Sequence, residues 1–187
     1  MSMWLWIGIG AAVVIIAGIF IYYYNRFTVL ENRIDNSLAQ IDVQLKKRAD
    51  LVPALIKTVS GYAKHEKKIM ESVTKARSAL LKGGDISERV KAGDALEHAL
   101  GRLFAIAENY PNLKANENFL QMQQELSAIE DKVAYSRQYY NDSILAYENA
   151  SELFPGMIFF KLYNKQKKEY LKISGSQKEM PKIEFEE

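Results

Sequence analysis

The feature that most constrains this chain is an uncharged apolar stretch near its beginning. Residues Trp4 to Tyr24 form 21 consecutive positions without a charged side chain. As an α-helix they span about 31 Å, close to the roughly 30 Å hydrocarbon thickness of a bilayer. A cleaved signal peptide normally has a basic start, a shorter apolar core and small residues at its cleavage site. This stretch has no preceding Lys or Arg and ends in bulky Tyr, so we predict a transmembrane anchor over residues 1–24.

Aromatic residues mark both ends of the stretch. Trp and Tyr prefer the headgroup level of a bilayer, where an apolar ring can keep a polar group hydrated. The predicted membrane-interface anchors are Trp4 and Trp6 at one end and Tyr22, Tyr23 and Tyr24 at the other. The first expected partner is therefore the lipid bilayer itself.

Basic residues are distributed unequally around the stretch. No Lys or Arg precedes it, whereas Arg26 and Arg33 follow it closely. Positive charge near a span favours the cytoplasmic side of a membrane. We therefore expect a single-pass protein with its N-terminus outside and the larger, charged part in the cytoplasm.

The charged part of the chain has the periodicity of long helices. Apolar residues recur at steps of three and four, the spacing of one helix face: Phe27, Leu30, Ile34, Leu38, Ile41 and Leu45. No helix breaker separates this face from the apolar stretch. At Asp50–Pro53 either a new helix begins or the long helix kinks, because Asp can cap a helix and Pro removes an interior hydrogen bond. Beyond it, the apolar pattern continues as far as Leu80.

Turn signals divide the rest of the chain. Gly83-Gly84 is a helix stop, and Asp85 with Glu88 resembles a capping box for the next helix. A turn cluster lies at residues 109–112, and the most regular pattern of all runs from Phe119 to Tyr147 with a spacing near 3.5, typical of bundles and coiled coils. The sequence predicts an all-α fold, with an N-terminal transmembrane helix followed by an antiparallel bundle of three to four long helices with short loops over residues 25–163.

The last part of the sequence has a different character. Residues 157–163 are aromatic and apolar, and lysines follow them. This segment either closes one end of the bundle or lies on an anionic membrane surface. Residues 164–187 are predicted to be a flexible charged tail, because they contain a Ser/Gly segment and a Glu-rich end.

Composition and motifs argue against most kinds of chemistry. The chain has no cysteine, which excludes disulfides and thiol chemistry, and its net charge of +2 argues against nucleic-acid binding. His65-Glu66 lacks the second histidine of a zinc-protease motif, and the neighbouring carboxylates Glu130 and Asp131 point about 100° apart on a helix. We therefore predict no catalytic residues, no metal ligands, no cofactor and no enzymatic activity.

A polar strip follows the apolar stretch directly. It consists of Asn25, Asn32, Arg33, Asp35 and Asn36. Such a strip beside a membrane either recognises a partner or forms hydrogen bonds between helices that fix their register. Both interpretations remain open at the level of sequence.

Several segments resemble the LemA family. They include Leu30-Glu31-Asn32-Arg33-Ile34-Asp35-Asn36-Ser37, Arg48-Ala49-Asp50-Leu51-Val52-Pro53, Ala107-Glu108-Asn109-Tyr110-Pro111 and Arg137-Gln138-Tyr139-Tyr140-Asn141-Asp142. The resemblance covers about residues 1–163 in order. It implies a bacterial single-pass membrane protein with a short exterior N-terminus and a mostly helical cytoplasmic domain, and it carries over no catalytic residues.

Two functions of different classes are consistent with these observations. The first is a non-catalytic interaction or scaffold module at the bacterial cytoplasmic membrane, with other membrane proteins and a homo-oligomer among the candidate partners. The second is a ligand-binding or enzymatic bundle whose site is assembled at long range. A pocket with converging carboxylates or histidine would favour the second function, and a filled core with only surface grooves would favour the first.

Overall fold

The computed structural model describes residues 3–171, and helices account for most of that range. In chain order they are α1 (Met3–Tyr62), α2 (Lys67–Leu81), α3 (Ile86–Ala107), α4 (Pro111–Lys114), α5 (Glu117–Glu152) and α6 (Gly156–Leu162). Between residues 3 and 171 there is no strand. The predicted all-α class with a long apolar N-terminal helix is confirmed.

The described residues form two compact units. The first contains α1 as far as Leu38 together with Gln138–Tyr170, and the second contains Ala39–Arg137 with Leu171. Helices α1 and α5 therefore each contribute one segment to each unit.

The first unit is built on an antiparallel pair of helical segments from α1 and α5. The rings of Phe27 and Tyr147 lie 5.9 Å apart, and the Tyr147 hydroxyl donates to the Glu31 carboxylate at 3.2 Å. Phe27, Tyr147 and Ile144 are fully buried. The apolar face predicted from Phe27 onward therefore does form the core of this unit.

The second unit is a bundle of four helical segments. Successive segments run in opposite directions, so α1 and α3 are parallel to each other and antiparallel to α2 and α5. The contacts that establish these directions are Ala49–Arg77, Asp42–Arg89, Arg48–Glu97, Asp94–Arg137 and Phe104–Phe119. This arrangement confirms the predicted antiparallel bundle.

Helix α1 continues through Pro53 without a break. Proline has no N–H, so the carbonyl four residues earlier, that of Ala49, loses its usual helical donor. The Arg77 side chain of α2 takes that place, because its Nε donates to the Ala49 carbonyl oxygen at 2.8 Å. The possibility of a new helix at Asp50–Pro53 is therefore wrong, and a neighbouring helix satisfies the acceptor that Pro53 leaves free.

The turn between α1 and α2 differs from the prediction made from the sequence. The apolar pattern predicted helix from Val52 to Leu80, but the chain reverses at residues 63–66. The Tyr110 hydroxyl donates to the Glu66 carboxylate at 2.9 Å, which ties this turn to a segment far along the chain. Such a long-range contact leaves no mark on local periodicity.

The turn between α2 and α3 follows its sequence signals. Gly83 and Gly84 have φ angles of +78° and +128°, which glycine adopts readily because it has no Cβ. The Asp85 side chain then accepts a hydrogen bond from the Glu88 backbone N–H at 2.8 Å. The predicted helix stop and N-cap are both confirmed, whereas the short α4 that follows Tyr110 was expected to be only a turn.

The beginning of the predicted tail is bonded to the first unit. Lys165 pairs with Glu31 at 2.6 Å, the Tyr140 hydroxyl donates to the Glu169 carbonyl oxygen at 2.9 Å, and the Tyr170 hydroxyl donates to Glu148 at 2.7 Å. Residues 164–170 thus lie along α1 and α5. The remainder of the predicted tail, residues 172–187, is outside the described residues.

Candidate functional site

Within residues 3–171, α1 is the helix that is long and apolar enough to cross a membrane. None of its most apolar window is buried within the protein. Trp4, Trp6, Tyr22 and Tyr24, four of the five predicted interface anchors, are exposed. An exposed apolar surface of this length is typical of a lipid-facing helix and unlike the surface of a soluble domain.

The fifth predicted anchor, Tyr23, packs in an aromatic cluster with α6. Its ring stacks on Phe159 with centroids 4.7 Å apart and planes 9° apart. Phe20 meets the same Phe159 ring edge-on at 5.0 Å. Phe160 lies 5.7 Å from Phe27, so α6 is attached to α1 around the end of the apolar stretch.

A hydrogen-bonded tyrosine lies beside this cluster. The Tyr147 hydroxyl contacts both the Glu31 carboxylate and the Gln166 carbonyl oxygen, at 3.2 and 3.1 Å. Burial raises the pKa of Tyr147, and the charge and hydrogen bond of Glu31 raise it further. Tyr147 therefore remains a neutral hydrogen-bond donor at physiological pH and links α5 to Glu31 of α1.

The predicted polar strip is solvent-facing. All five of its side chains are exposed: Asn25, Asn32, Arg33, Asp35 and Asn36. Side chains that set the register between helices lie at the helix contact, whereas these face away from the core of the first unit. The exposed position of these side chains leaves them accessible to solvent beside the apolar stretch.

The second unit contains a cleft with charged walls. Its volume is about 610 Å³, within the range of small-molecule pockets. The groups that could contact a ligand come from α1, α3 and α5, and the polar ones are Arg48, Glu97, His98, Arg102, Gln123, Ser127 and Glu130. Carboxylates and a histidine are the groups expected of a ligand-binding bundle, and this cleft contains Glu97, Glu130 and His98.

Arg48 is a buried positive charge in the lining of the cleft. Its side chain is only 2% exposed, and its Nη1 lies 3.3 Å from a Glu97 carboxylate oxygen and 3.4 Å from the Gly93 carbonyl oxygen. Its Nη2 is buried and has no hydrogen-bond partner among residues 3–171. A buried guanidinium with an unsatisfied donor is costly, so it retains the capacity to bind one more acceptor.

Glu97 and Glu130 act as a pair within the cleft. Glu130 is exposed on α5, but partial desolvation of its carboxyl group raises its pKa. Repulsion from Glu97 raises this pKa further, and the Arg48 guanidinium partly offsets both effects. A hydrogen bond to Glu97 also favours the protonated form of Glu130. The two carboxyl groups thus lie close enough for the charge of one to affect the proton affinity of the other.

The two histidines lie in different places. His65 is exposed in the turn between α1 and α2, and His98 is exposed on α3 at the cleft. In the described part of the chain, no three His, Asp or Glu side chains are placed to hold a metal ion together. The polar side chains that line the cleft can form hydrogen bonds with a ligand.

Comparison of the sequence with known protein families assigns the chain to one of them. A sequence model described as the LemA family matches residues 37–185. The chain belongs to the LemA family. This match begins later than the resemblance found in the sequence and extends beyond residue 163, so it includes α6 and excludes the apolar stretch and the polar strip.

Curated relatives support the same assignment. The chain is 26% identical over 158 residues to a magnetosome protein, MamQ, of Magnetospirillum gryphiswaldense, covering 71% of this chain and 58% of that protein. It is 28% identical over 129 residues to Protein LemA of Metamycoplasma hominis, covering 66% and 59%. A second MamQ, from Paramagnetospirillum magneticum, is 25% identical over 150 residues, covering 66% and 55%.

The chain spans somewhat more than half the length of these curated relatives. LemA-family membership and the apolar helix together indicate a membrane-associated helical protein. One feature of the sequence does indicate the cleft of this LemA-family bundle. Arg48 falls between Leu45 and Val52 at helical spacing, on the apolar face where a charge is out of place.

Proposed function

We propose that this protein is a single-pass protein of the bacterial cytoplasmic membrane whose helical domain lies in the cytoplasm and binds other membrane proteins without catalysis. The observation that carries the proposal is that the exposed apolar stretch and a buried face of the first unit belong to one helix, α1. Such a helix holds its domain against the membrane surface. A partner in the same membrane would then meet the first unit at close range.

The orientation rests on the positive charges beside the span. Arg26 and Arg33 are both exposed and follow the stretch directly. Holding them at the cytoplasmic side is favourable because that leaflet is anionic and the membrane potential is negative inside. These charges support the cytoplasmic position of the domain.

Single cysteines test the orientation, because the chain has none of its own. We expect Met3→Cys to react with a membrane-impermeant maleimide in intact cells. Lys132→Cys, at an exposed position on α5, should react only after the membrane is permeabilised. The opposite pattern would reverse the orientation, and recovery of the chain in the soluble fraction would contradict the membrane span.

The exposed polar strip is the surface we propose for recognition of partners. Its Asn and charged side chains offer both donors and acceptors beside the membrane. A photoreactive amino acid at Asn32 or Asn36 should crosslink to a membrane protein in cells. A matched probe at Lys91, exposed on α3, should give no such product. Equal crosslinking from both surfaces would contradict a specific role for the strip.

The same approach separates a homo-oligomer from a different partner. An Asn36→Cys variant should form a disulfide-linked dimer under mild oxidation if two copies of the chain meet at the strip. Mass spectrometry of the photo-crosslinked product identifies the second chain. A product that contains only this chain would show that the partner at the strip is a second copy of the protein.

A second candidate function is ligand binding, and the cleft in the second unit favours it. Arg48 Nη2 has no hydrogen-bond partner within the described residues, and the carboxyl groups of Glu97 and Glu130 lie in the same cleft. A small polar ligand with both donors and acceptors would satisfy them. This candidate includes catalysis by proton transfer, for which the pair supplies an acid and a base.

Thermal unfolding of the full chain in detergent tests this second candidate. Small amines and polyols are suitable probes, because they offer donors to the carboxyl pair. A stabilising probe should act on the wild type and on Glu125→Gln, which changes an exposed carboxylate of α5 outside the cleft. Its effect should disappear when Glu97 and Glu130 are both replaced by Gln. A set of probes without any effect on the wild type would count against the cleft as a binding site.

A further inference from the structure

One side of residues 153–162, a segment that contains α6, faces away from the protein. Gly156 and Phe159 are buried, whereas neighbouring apolar side chains are exposed. The exposed set is Leu153, Phe154, Met157, Ile158 and Leu162. Phe154 is 79% exposed, an unusual position for a large aromatic ring in water.

Contacts on the buried side of α6 fix its level along α1. Phe159 packs on Phe20 and Tyr23, and the Tyr163 hydroxyl donates to the Phe20 carbonyl oxygen at 2.7 Å. Phe20 and Tyr23 belong to the last turns of the apolar stretch that ends at Tyr24. Helix α6 is therefore attached at the boundary between the membrane span and the helical domain.

We propose that the exposed face of α6, with Leu153 and Phe154, inserts into the headgroup and upper acyl region of the membrane that α1 crosses. This inference rests on the proposed span. At this level α1 is surrounded by lipid, so a short helix attached to its side meets lipid on its other face. A helix that is apolar on all sides is stable only when every side is covered, and the bilayer covers the side that α1 leaves open.

The composition of the segment agrees with an interfacial position. Helix α6 carries a single charge, Lys161, which lines a shallow groove of about 440 Å³ with Met157, Ile158 and Leu162. In this position the lysine stem can lie along the acyl boundary while its ammonium group reaches the lipid phosphates. Large apolar side chains beside a lysine are the usual composition of helices that bind membrane interfaces.

The membrane contact of α6 has a mechanical role in this arrangement. A single helix can rotate and tilt in a bilayer, because one span provides one point of attachment. A second contact from α6 restricts both motions at the place where α1 enters the domain. The polar strip on α1 would then face a defined direction along the membrane surface.

Fluorescent probes on single cysteines test this inference with the full chain. The chain is reconstituted in vesicles of three parts zwitterionic and one part anionic phospholipid, with an environment-sensitive dye at Phe154→Cys or Ile158→Cys. Both positions are exposed, so the dye disturbs little packing. We expect a blue-shifted emission that is quenched by shallow nitroxide-labelled lipids and protected from iodide.

Two matched probes separate this inference from the proposed span. A dye at Val13→Cys, within the apolar stretch, should be quenched by deep nitroxides, and its failure would overturn the span itself. A dye at Asp142→Cys, exposed on α5 in the same unit, should be quenched by iodide alone. If Val13 behaves as expected while Phe154 and Ile158 respond to iodide, the span stands and the inference is wrong. Probes on α6 shielded from both iodide and lipid would show that a protein covers this face, which also overturns it.

Discussion

The hydrogen bond from Arg77 to the Ala49 carbonyl allows a direct test of how α1 passes through Pro53. In the wild type this carbonyl is buried and receives the Arg77 Nε at 2.8 Å, because Pro53 has no N–H to donate. Replacing Arg77 with Met keeps much of the aliphatic stem but removes the donor. A buried acceptor without a partner costs about 1–3 kcal/mol, so we expect Arg77→Met to destabilise the second unit by that amount.

The Pro53→Ala background should remove most of this cost. Pro53 is exposed, so its replacement loses little packing, and Ala at that position supplies the helical N–H for the Ala49 carbonyl. Pro53→Ala alone should stabilise the protein. The gain should be less than the roughly 3 kcal/mol by which Ala is favoured over Pro in a helix interior, because the hydrogen bond from Arg77 already offsets part of that difference. In this background, Arg77→Met should cost about 1–2 kcal/mol less than in the wild type.

The measurement is a double-mutant cycle. Four versions of the full chain in detergent are unfolded with urea and followed by helical circular dichroism. Hydrogen exchange in α1 peptides around Ala49 reports the local change in the same samples. A coupling energy below about 0.5 kcal/mol, within the usual additivity of independent sites, would refute the compensation between Arg77 and Pro53.

Three further predictions use matched substitutions. Gly156→Ala would place a Cβ in steric conflict with the Ala150 carbonyl oxygen, so it should cost about 1–3 kcal/mol and speed hydrogen exchange in α6. Its control, Gly101→Ala, has open space around the new Cβ and should stabilise α3 by about 0.5–1 kcal/mol. Ile129→Ala, in the α5 core, should cost about 2–5 kcal/mol in urea unfolding, and the exposed Lys132→Ala less than about 0.5 kcal/mol; similar effects would mean that the wrong face of α5 was assigned to the core. Because the pKa of Glu130 is raised on folding, stability should fall as pH rises from its ordinary value of 4.5 through the folded value. Glu130→Gln should therefore gain stability relative to the wild type at about pH 7 and lose that advantage near pH 4, and a difference independent of pH would contradict the raised pKa.

The helices and their buried faces could be predicted because they depend on local periodicity. Ile34, Ile41 and Leu45 are buried on α1, as the steps of three and four residues indicated. The pattern of α5 was equally reliable, and both Ile129 and Ile144 are buried. A core face is repeated every turn, so many residues carry the same information and single exceptions do not obscure it.

The turns and the cleft depend on single contacts between distant residues. The reversal after Tyr62 is tied by Tyr110 and Glu66, which are 44 positions apart. Glu130 was expected to be unable to act with its neighbour Asp131, but it meets Glu97 from another helix. Periodicity shows which side of a helix is apolar and gives no information on which residues of two helices lie at the same height.

The charge pairs between α1 and α3 favour one relative direction of these two helices over the other. Along α1 the order is Asp42 and then Arg48, and along α3 it is Arg89 and then Glu97. With the two helices parallel, each acid faces a base: Asp42 lies 2.7 Å from Arg89, and Arg48 lies 3.3 Å from Glu97.

If α3 ran in the opposite direction at the same place, each of these charges would face a like charge. Asp42 would then face Glu97, and Arg48 would face Arg89, with the guanidinium of Arg48 left among apolar side chains. A buried charge that meets a like charge is penalised far more than an exposed pair is rewarded. Apolar faces alone permit either direction of α3, because a row of leucine and valine side chains packs almost equally well when the helix is reversed. The opposite charge sequences on α1 and α3 thus exclude the inverted topology at the level of folding, whatever the cleft binds.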